Sequence, residues 1–100
     1  MKTTLQEQDT QFLVTLDGEL DTAAALETER VLQPLYKCDG KDVIFDCGKL
    51  EYISSSGLRI LLGILKAAKA SGGKVTLKNV NNDIKNVFQL TGFLPLFEFA

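Results

Sequence analysis

The chain contains no histidine and only two cysteines, Cys38 and Cys47. Without histidine, the serine–histidine pair that activates many serine nucleophiles cannot form, and the common nitrogen ligand of zinc sites is missing. Two separated cysteines in a chain with no secretion signal are expected to be reduced and structural. We therefore expect no metal site, no cofactor and no catalytic activity of the chain's own.

A strong charge of one sign and a long apolar run are also missing. Eleven basic and thirteen acidic side chains give a formal net charge of −2, so the basic surface of a nucleic-acid-binding protein is not predicted. The apolar run from Leu58 to Leu65 is interrupted by Arg59 and is too short to span a membrane. The segment from Met1 to Glu7 lacks the apolar core of a signal peptide. We expect one cytoplasmic domain over residues 1–100 that binds neither nucleic acid nor membrane.

Apolar periodicity and turn residues predict an initial hairpin followed by alternating helices and strands. The predicted strands are Thr3–Gln8, Phe12–Asp17, Asp42–Asp46, Lys74–Val80 and Phe93–Phe99, the last with a break at Pro95. The predicted helices begin at Asp21 or Thr22, at Ser56, and at Asn81 or Asn82, and they end near Pro34, Ala70 and Gly92. This order indicates an α/β fold with a mixed central sheet of about five strands, packed with three or four helices. The strand from Asp42 to Asp46 is nearly all apolar, so we expect it to be covered on both faces.

Three serines and a glycine, Ser54 to Gly57, stand between the predicted central strand and the second helix. Serine hydroxyls cap helices by accepting hydrogen bonds from the free N–H groups of the first turn. The partial positive charge at the same place also suits a phosphate. A nucleophile elbow would need glycine where Ser54 stands, as well as a histidine base. Two interpretations therefore stay open: a helix cap, or a hydroxyl that accepts a phosphate.

An acidic stretch from Asp17 to Asp21 follows the second predicted strand and is expected to turn at Gly18. If that strand neighbours the central strand, the acidic stretch lies beside the serines. A phosphate on Ser56 would then face Glu19 and Asp21 and change what can dock there. Asp21 also has a simpler interpretation, as the cap of the first helix.

The chain resembles the STAS domains, and in particular the small bacterial anti-sigma factor antagonists. The resemblance covers nearly the whole chain, and its most specific element is the serine–glycine turn. The matching segments are Gly18-Glu19-Leu20-Asp21, Val43 to Cys47, Ser55-Ser56-Gly57-Leu58, Gly72-Gly73 and Thr91-Gly92-Phe93. A STAS-type fold is therefore expected.

The resemblance implies a regulatory switch rather than an enzyme. Unphosphorylated family members bind an anti-sigma factor that is also a serine kinase, which frees the sigma factor. That kinase phosphorylates them with ATP, and a metal-dependent serine phosphatase removes the phosphate. We expect the same two partners for this chain, which would be a monomer or a weak dimer.

The resemblance also implies which residues carry the switch. Ser56, directly before the glycine, corresponds to the phosphorylated residue, and Asp21 corresponds to the acidic residue near it. Two positions depart from the family pattern: Ser54 stands where aspartate is usual, and Arg59 stands where small residues are common. Arg59 has two candidate partners, a phosphate on Ser56 or an acidic group of the bound protein. The full set of expected partner-binding residues is Asp21, Glu19, Ser54, Ser55, Gly57, Leu58 and Arg59.

A second hypothesis is a constitutive STAS subunit of a lipid-transport or stress-sensing complex. The serine at position 54, in place of the usual aspartate, favours this alternative. An enzymatic role would require a partner to supply the catalytic base, because the chain contains no histidine.

Overall fold

The computed structural model describes residues 1–100 and contains five strands and three helices, in the predicted order. The strands are β1 (Lys2–Glu7), β2 (Gln11–Leu20), β3 (Asp42–Ile53), β4 (Val75–Lys78) and β5 (Glu98–Phe99). The helices are α1 (Thr22–Val31), α2 (Ser55–Ala70) and α3 (Asn82–Leu90). Short 3-10 helices, Gln33–Tyr36 and Leu94–Leu96, follow α1 and α3. Each contains a proline, so Pro34 lies just beyond the end of α1 and Pro95 shortens the last strand to two residues.

The five strands form one mixed sheet in the order β1-β2-β3-β4-β5. The pair β1–β2 is antiparallel, and the three remaining pairs are parallel. Parallel neighbours require a crossover, which α1, α2 and α3 supply in turn. As a consequence, β2 and β3 end at the same edge of the sheet, where α1 and α2 begin. The predicted α/β fold with a five-stranded mixed sheet is confirmed.

Only one face of the sheet is covered by helices. Along β3, Val43, Phe45 and Cys47 are buried, whereas Ile44 and Asp46 between them are partly exposed. The buried strand residues form one core with residues from all three helices, among them Ala25, Ile64 and Phe88. The prediction that the central strand is covered on both faces is wrong, because no helix packs against the Ile44 side. We call that side, with Leu13, Thr15, Ile44 and Asp46, the open face.

Strands β2 and β3 are both longer than the sequence predicts. They run in parallel as far as the pair Leu20 and Ile53, with register shifts between Thr15 and Asp17 and between Gly18 and Glu19. Gly18 has a φ of +112°, which only glycine adopts readily. The glycine therefore sits in an irregularity within β2, and the predicted turn at Gly18 is in fact a continuation of the strand.

Candidate functional site

The starts of α1 and α2 lie side by side at the edge where β2 and β3 end. The Ser54 N–H donates a hydrogen bond of 2.9 Å to the Leu20 carbonyl oxygen, which joins the two strand ends. Asp21 and Ser54 follow these strand ends directly and cap the two helices. The Asp21 Oδ1 accepts from the Ala24 N–H at 2.8 Å, and the Ser54 Oγ accepts from the Gly57 N–H at 3.2 Å. The acidic residue and the serines are therefore neighbours, as expected from the strand order.

Ser54 is the serine that caps α2. Its backbone is extended, with φ −88° and ψ 171°, and the residue is 8% exposed. This geometry is typical of an N-cap residue, whose side-chain oxygen accepts from an N–H in the first turn. Ser55 and Ser56 are the first two residues of the helix proper, and Ser56 is half-buried. The capping role thus belongs to Ser54, which leaves the Ser56 hydroxyl free for another function.

Gly57 allows α2 to begin against the ends of β2 and β3. A Cβ atom at this position would lie 2.7 Å from Leu20 Cγ and 3.0 Å from Ile53 Cγ1, closer than side chains tolerate. The packing of Leu20 on Gly57 also fixes the direction of its neighbour. Side chains alternate along a strand, so Glu19 and its register partner Tyr52 lie toward the open face. Glu19 is exposed there, and the expectation that it faces Ser56 stays a prediction.

An open cleft of about 350 Å³ separates α1 from α2, and Ser56 forms part of its wall. We call it the α1–α2 cleft. Its lining residues are Thr22, Ala25, Leu26 and Glu29 from α1, and Ser56, Arg59 and Ile60 from α2. Leu26 is 78% exposed. The cleft therefore presents an accessible hydroxyl beside an exposed apolar side chain.

The cleft contains one acidic and one basic side chain, Glu29 and Arg59. The ion pairs of the structure are Arg30–Glu27 at 3.4 Å and Lys41–Glu7 at 2.7 Å. Arg59 takes part in neither, so its guanidinium has no carboxylate partner within the chain. Burial, and secondarily the charge of the cleft residue Glu29, raises the pKa of the Tyr36 hydroxyl.

The expected site residues fall into two groups. Asp21, Ser55 and Arg59 are exposed, and Ser56 is half-buried. Ser54, Gly57 and Leu58 are buried. Leu58 is only 2% exposed and belongs to the core, so it cannot provide the apolar docking contact that the sequence indicated. The three buried residues shape the start of α2 rather than its surface.

Leu26, Thr22 and Glu29 were not among the residues expected from the sequence. Leu26 lies off the buried face of α1, which consists of Ala25 and Thr28. Single exposed apolar residues are common on protein surfaces, so the sequence pattern alone does not mark Leu26 as part of a site. Glu29 and Thr22 carry no signal either, since polar residues are ordinary on an exposed helix face.

The two cysteines do not contribute to the site. Both are buried and unpaired. Burial, assisted by the charge of Asp46, raises the pKa of Cys47 to about 12, and burial with the charge of Asp39 raises the pKa of Cys38. Thiols with raised pKa values are poor nucleophiles near neutral pH. The structure also contains no group of three or more metal-ligating side chains, and no helix with the length and apolar character needed to cross a bilayer.

A five-stranded mixed sheet, in which the serine–glycine start of α2 lies beside the start of α1 capped by Asp21, defines a small α/β domain. The chain belongs to the STAS domain family, whose family model matches residues 2–100. BtrV of Bordetella bronchiseptica, provisionally named an anti-sigma factor antagonist, is 32% identical over 100 residues, covering 100% of this chain and 86% of that protein. The anti-sigma-B factor antagonist of Staphylococcus aureus is 30% identical over 89 residues, covering 89% of this chain and 82% of that protein.

Solved structures show the same fold. The anti-sigma factor antagonist SpoIIAA in its unphosphorylated form has a TM-score of 0.77 at 21% identity, covering 99% of this chain and 87% of that chain. SpoIIAA of Bacillus in the phosphorylated form has a TM-score of 0.76 at 24% identity, covering 99% and 91%. The predicted membership of the STAS family is confirmed.

Proposed function

We propose that this protein is an anti-sigma factor antagonist whose docking is controlled by phosphorylation of Ser56. In the unphosphorylated state it binds an anti-sigma factor that is also a serine kinase, and so frees the sigma factor in the cytoplasm. The names of the two relatives described above support the antagonist role. The observation that carries the proposal is the half-buried Ser56 hydroxyl in the wall of an open cleft, with helix capping already provided by Ser54.

The docking surface in this proposal is the α1–α2 cleft with its acidic rim residue, Asp21. Leu26 supplies an exposed apolar contact, and burying its side chain against a partner would remove apolar surface from water. Asp21 precedes the lining residue Thr22 and is exposed. Its carboxylate caps α1 through one oxygen, so the charge is held in a fixed position at the rim.

Phosphorylation of Ser56 alters this surface by charge and by bulk. The kinase transfers the γ-phosphoryl group of ATP to the Ser56 Oγ, the hydroxyl proton passes to a base of the kinase, and ADP is released. This chain supplies no such base, and it acts as a substrate. The product carries roughly two negative charges inside a cleft that also contains Glu29. A partner surface that fits the neutral cleft no longer fits, and a serine phosphatase restores the binding state.

The direct test is to mix the chain with a cognate kinase and ATP and to map the modified residue by mass spectrometry. We expect one phosphate, on Ser56. The matched control variants are Ser56→Ala, which should remain unmodified, and Ser55→Ala, which should be modified as the wild type is. Phosphate on Ser55 in the wild type, or none from a kinase that modifies a related antagonist, would contradict the proposal.

The second candidate function is a constitutive STAS subunit of a larger complex. It is favoured by Ser54, which caps α2 through a neutral hydroxyl at the position where the family usually has aspartate. A pull-down from native lysate separates the two candidates. Transporter subunits or sensor scaffolds, recovered without any kinase, would favour the second one.

A further inference from the structure

We propose that Arg59 binds the phosphate of phosphorylated Ser56 within the same chain, so that the modified serine and the arginine form an ion pair across one wall of the α1–α2 cleft. The proposal rests on the proposed function, because it concerns the same serine. It adds a specific partner for the phosphate, namely Arg59, which is the only basic side chain that lines the cleft.

The geometry of α2 brings the two residues together. Ser56 and Arg59 are three positions apart on one helix, and residues at this spacing are neighbours on the helix surface, about 5–6 Å apart at Cβ. Both line the same cleft. A phosphoserine and an arginine side chain each extend several bonds beyond Cβ, so their charged groups can meet without any change in the backbone.

The Arg59 guanidinium is also free to bind. The other arginine of the chain, Arg30, pairs with Glu27 at 3.4 Å, whereas Arg59 has no carboxylate partner. Glu29 lines the same cleft from α1 but forms no ion pair with Arg59. A phosphate offers more charge than a carboxylate and three acceptor oxygens, and it matches the planar guanidinium in a bidentate arrangement. It should therefore hold Arg59 where Glu29 does not.

The acidic side chain of the cleft gives this pairing a physical role. A phosphate on Ser56 shares the cleft with Glu29, and without a nearby cation it would be repelled by that carboxylate. Arg59 neutralises part of that charge. Phosphorylation would then have two effects on docking. The Arg59 guanidinium would no longer be available to a partner, and the phosphate would fill the space beside Leu26.

The experiment uses the full chain with phosphoserine installed at position 56 during translation, so that no kinase is needed. A ³¹P NMR titration reports the second pKa of the phosphate, which is about 6 in the absence of neighbours. A nearby cation favours the dianion and lowers this pKa. In Arg59→Gln the second pKa of the phosphate should rise by about half a unit or more. Arg59→Lys should give an intermediate pKa, and the matched control Arg30→Gln should leave the pKa unchanged.

A second measurement needs no substitution in the cleft. The chain has two arginines, so the ¹⁵N-detected Nε–H signals of Arg30 and Arg59 can be assigned with the Arg30→Gln variant alone. On phosphorylation, the Arg59 signal should move and become salt-sensitive while the Arg30 signal stays. Equal phosphate pKa values in the wild type and Arg59→Gln, or an Arg59 signal that does not respond, would overturn the proposal.

These outcomes are independent of the kinase assay. If no kinase modifies Ser56, the proposed function fails, although the ion pair can still be measured on the installed phosphoserine. If a kinase does modify Ser56 and the titrations of wild type and Arg59→Gln coincide, the ion pair is absent and the proposed function stands.

Discussion

At the scale of single residues, adjacent serines at the start of α2 have separate tasks. Ser54 is buried and caps the helix, whereas Ser56 is half-buried and lines the α1–α2 cleft. The sequence alone could not divide these tasks, because three consecutive serines are equally good caps by type. The backbone decides between them, since only Ser54 has the extended conformation that directs its oxygen toward the first-turn N–H groups.

The variant Ser56→Asp should separate stability from binding. A negative charge in the first turn of α2 is favoured by the helix dipole by about 0.3–1 kcal/mol, so the unfolding free energy should match or exceed that of the wild type. Affinity for the partner should fall about tenfold, equivalent to about 1.4 kcal/mol, because the charge lies in the docking cleft. Chemical denaturation and calorimetric binding measure the two quantities. Wild-type affinity in this variant would show that the charge does not control docking.

Leu26→Ala should weaken docking without affecting the fold. Leu26 is 78% exposed, so its loss should change the unfolding free energy by less than about 0.5 kcal/mol. If the partner buries it, affinity should fall by about 1 kcal/mol or more. The matched control is Leu90→Ala, which removes a leucine of α3 that is 81% exposed and does not line the cleft. Equal effects of the two variants on affinity would remove Leu26 from the docking surface.

At the scale of secondary-structure elements, the sequence predicts the helices better than the strand ends. The caps of α1 and α3 were predicted from their residue types, and Asp21 and Asn81 do accept first-turn N–H groups. The ends of β2 and β3 were missed, because they depend on pairing between strands far apart in the sequence. A local pattern with glycine and acidic residues indicates a turn, whereas the register shifts at Gly18 keep these residues in the sheet.

The contact between Gly57 and Leu20 predicts a cost for any side chain at position 57. In Gly57→Ala the new methyl group would lie 2.7 Å from Leu20 Cγ, so Leu20 or the helix start must move. We expect a loss of about 1–3 kcal/mol in the free energy of unfolding, measured with urea. Gly63→Ala in the same helix is the control, because its nearest contact is the side chain of Tyr36 at 3.3 Å. A smaller loss in Gly57→Ala than in Gly63→Ala would contradict this account of the helix start.

Asp46 connects β3 to β4 and should contribute to stability in a pH-dependent way. The Gly48 N–H and then the Asn79 side-chain amide donate to its carboxylate, and with Lys78 and Lys49 nearby these contacts lower the pKa of Asp46 below its usual 3.8. The pKa of Asp46 is therefore lower in the folded state than in the unfolded state. Its contribution to the free energy of unfolding is present above about pH 4 and is lost as the pH falls through the folded-state pKa.

The matched variant for this effect is Asp46→Asn, which keeps an acceptor oxygen but does not titrate. Because Asp46 is partly exposed to solvent, which screens its charge, the difference should stay below about 1 kcal/mol. Urea unfolding between about pH 6 and about pH 2 should show a steeper loss of stability in the wild type than in the variant. If stability falls equally with pH in the wild type and the variant, Asp46 has the same pKa in the folded and unfolded states.

At the scale of the whole molecule, the sequence predicted the order of elements and the mixed sheet. It did not predict that the helices cover only one face of that sheet. The run Val43-Ile44-Phe45 is apolar on both sides of the strand, which is typical of a strand between two layers of helices. The structure leaves Ile44 half-buried on the open face, since all three helices pack on the side of Val43 and Phe45. The packing of the helices relative to the sheet is a tertiary property that strand composition does not encode.

The central claim is that a phosphate on Ser56 switches off docking through the α1–α2 cleft. The measurement that tests it most directly is the affinity of the kinase-type anti-sigma factor for two otherwise identical chains, one with serine and one with phosphoserine at position 56. We predict that the phosphorylated chain binds at least about tenfold more weakly, or about 1.4 kcal/mol, while both chains remain folded. Equal affinity of the two chains would contradict the claim.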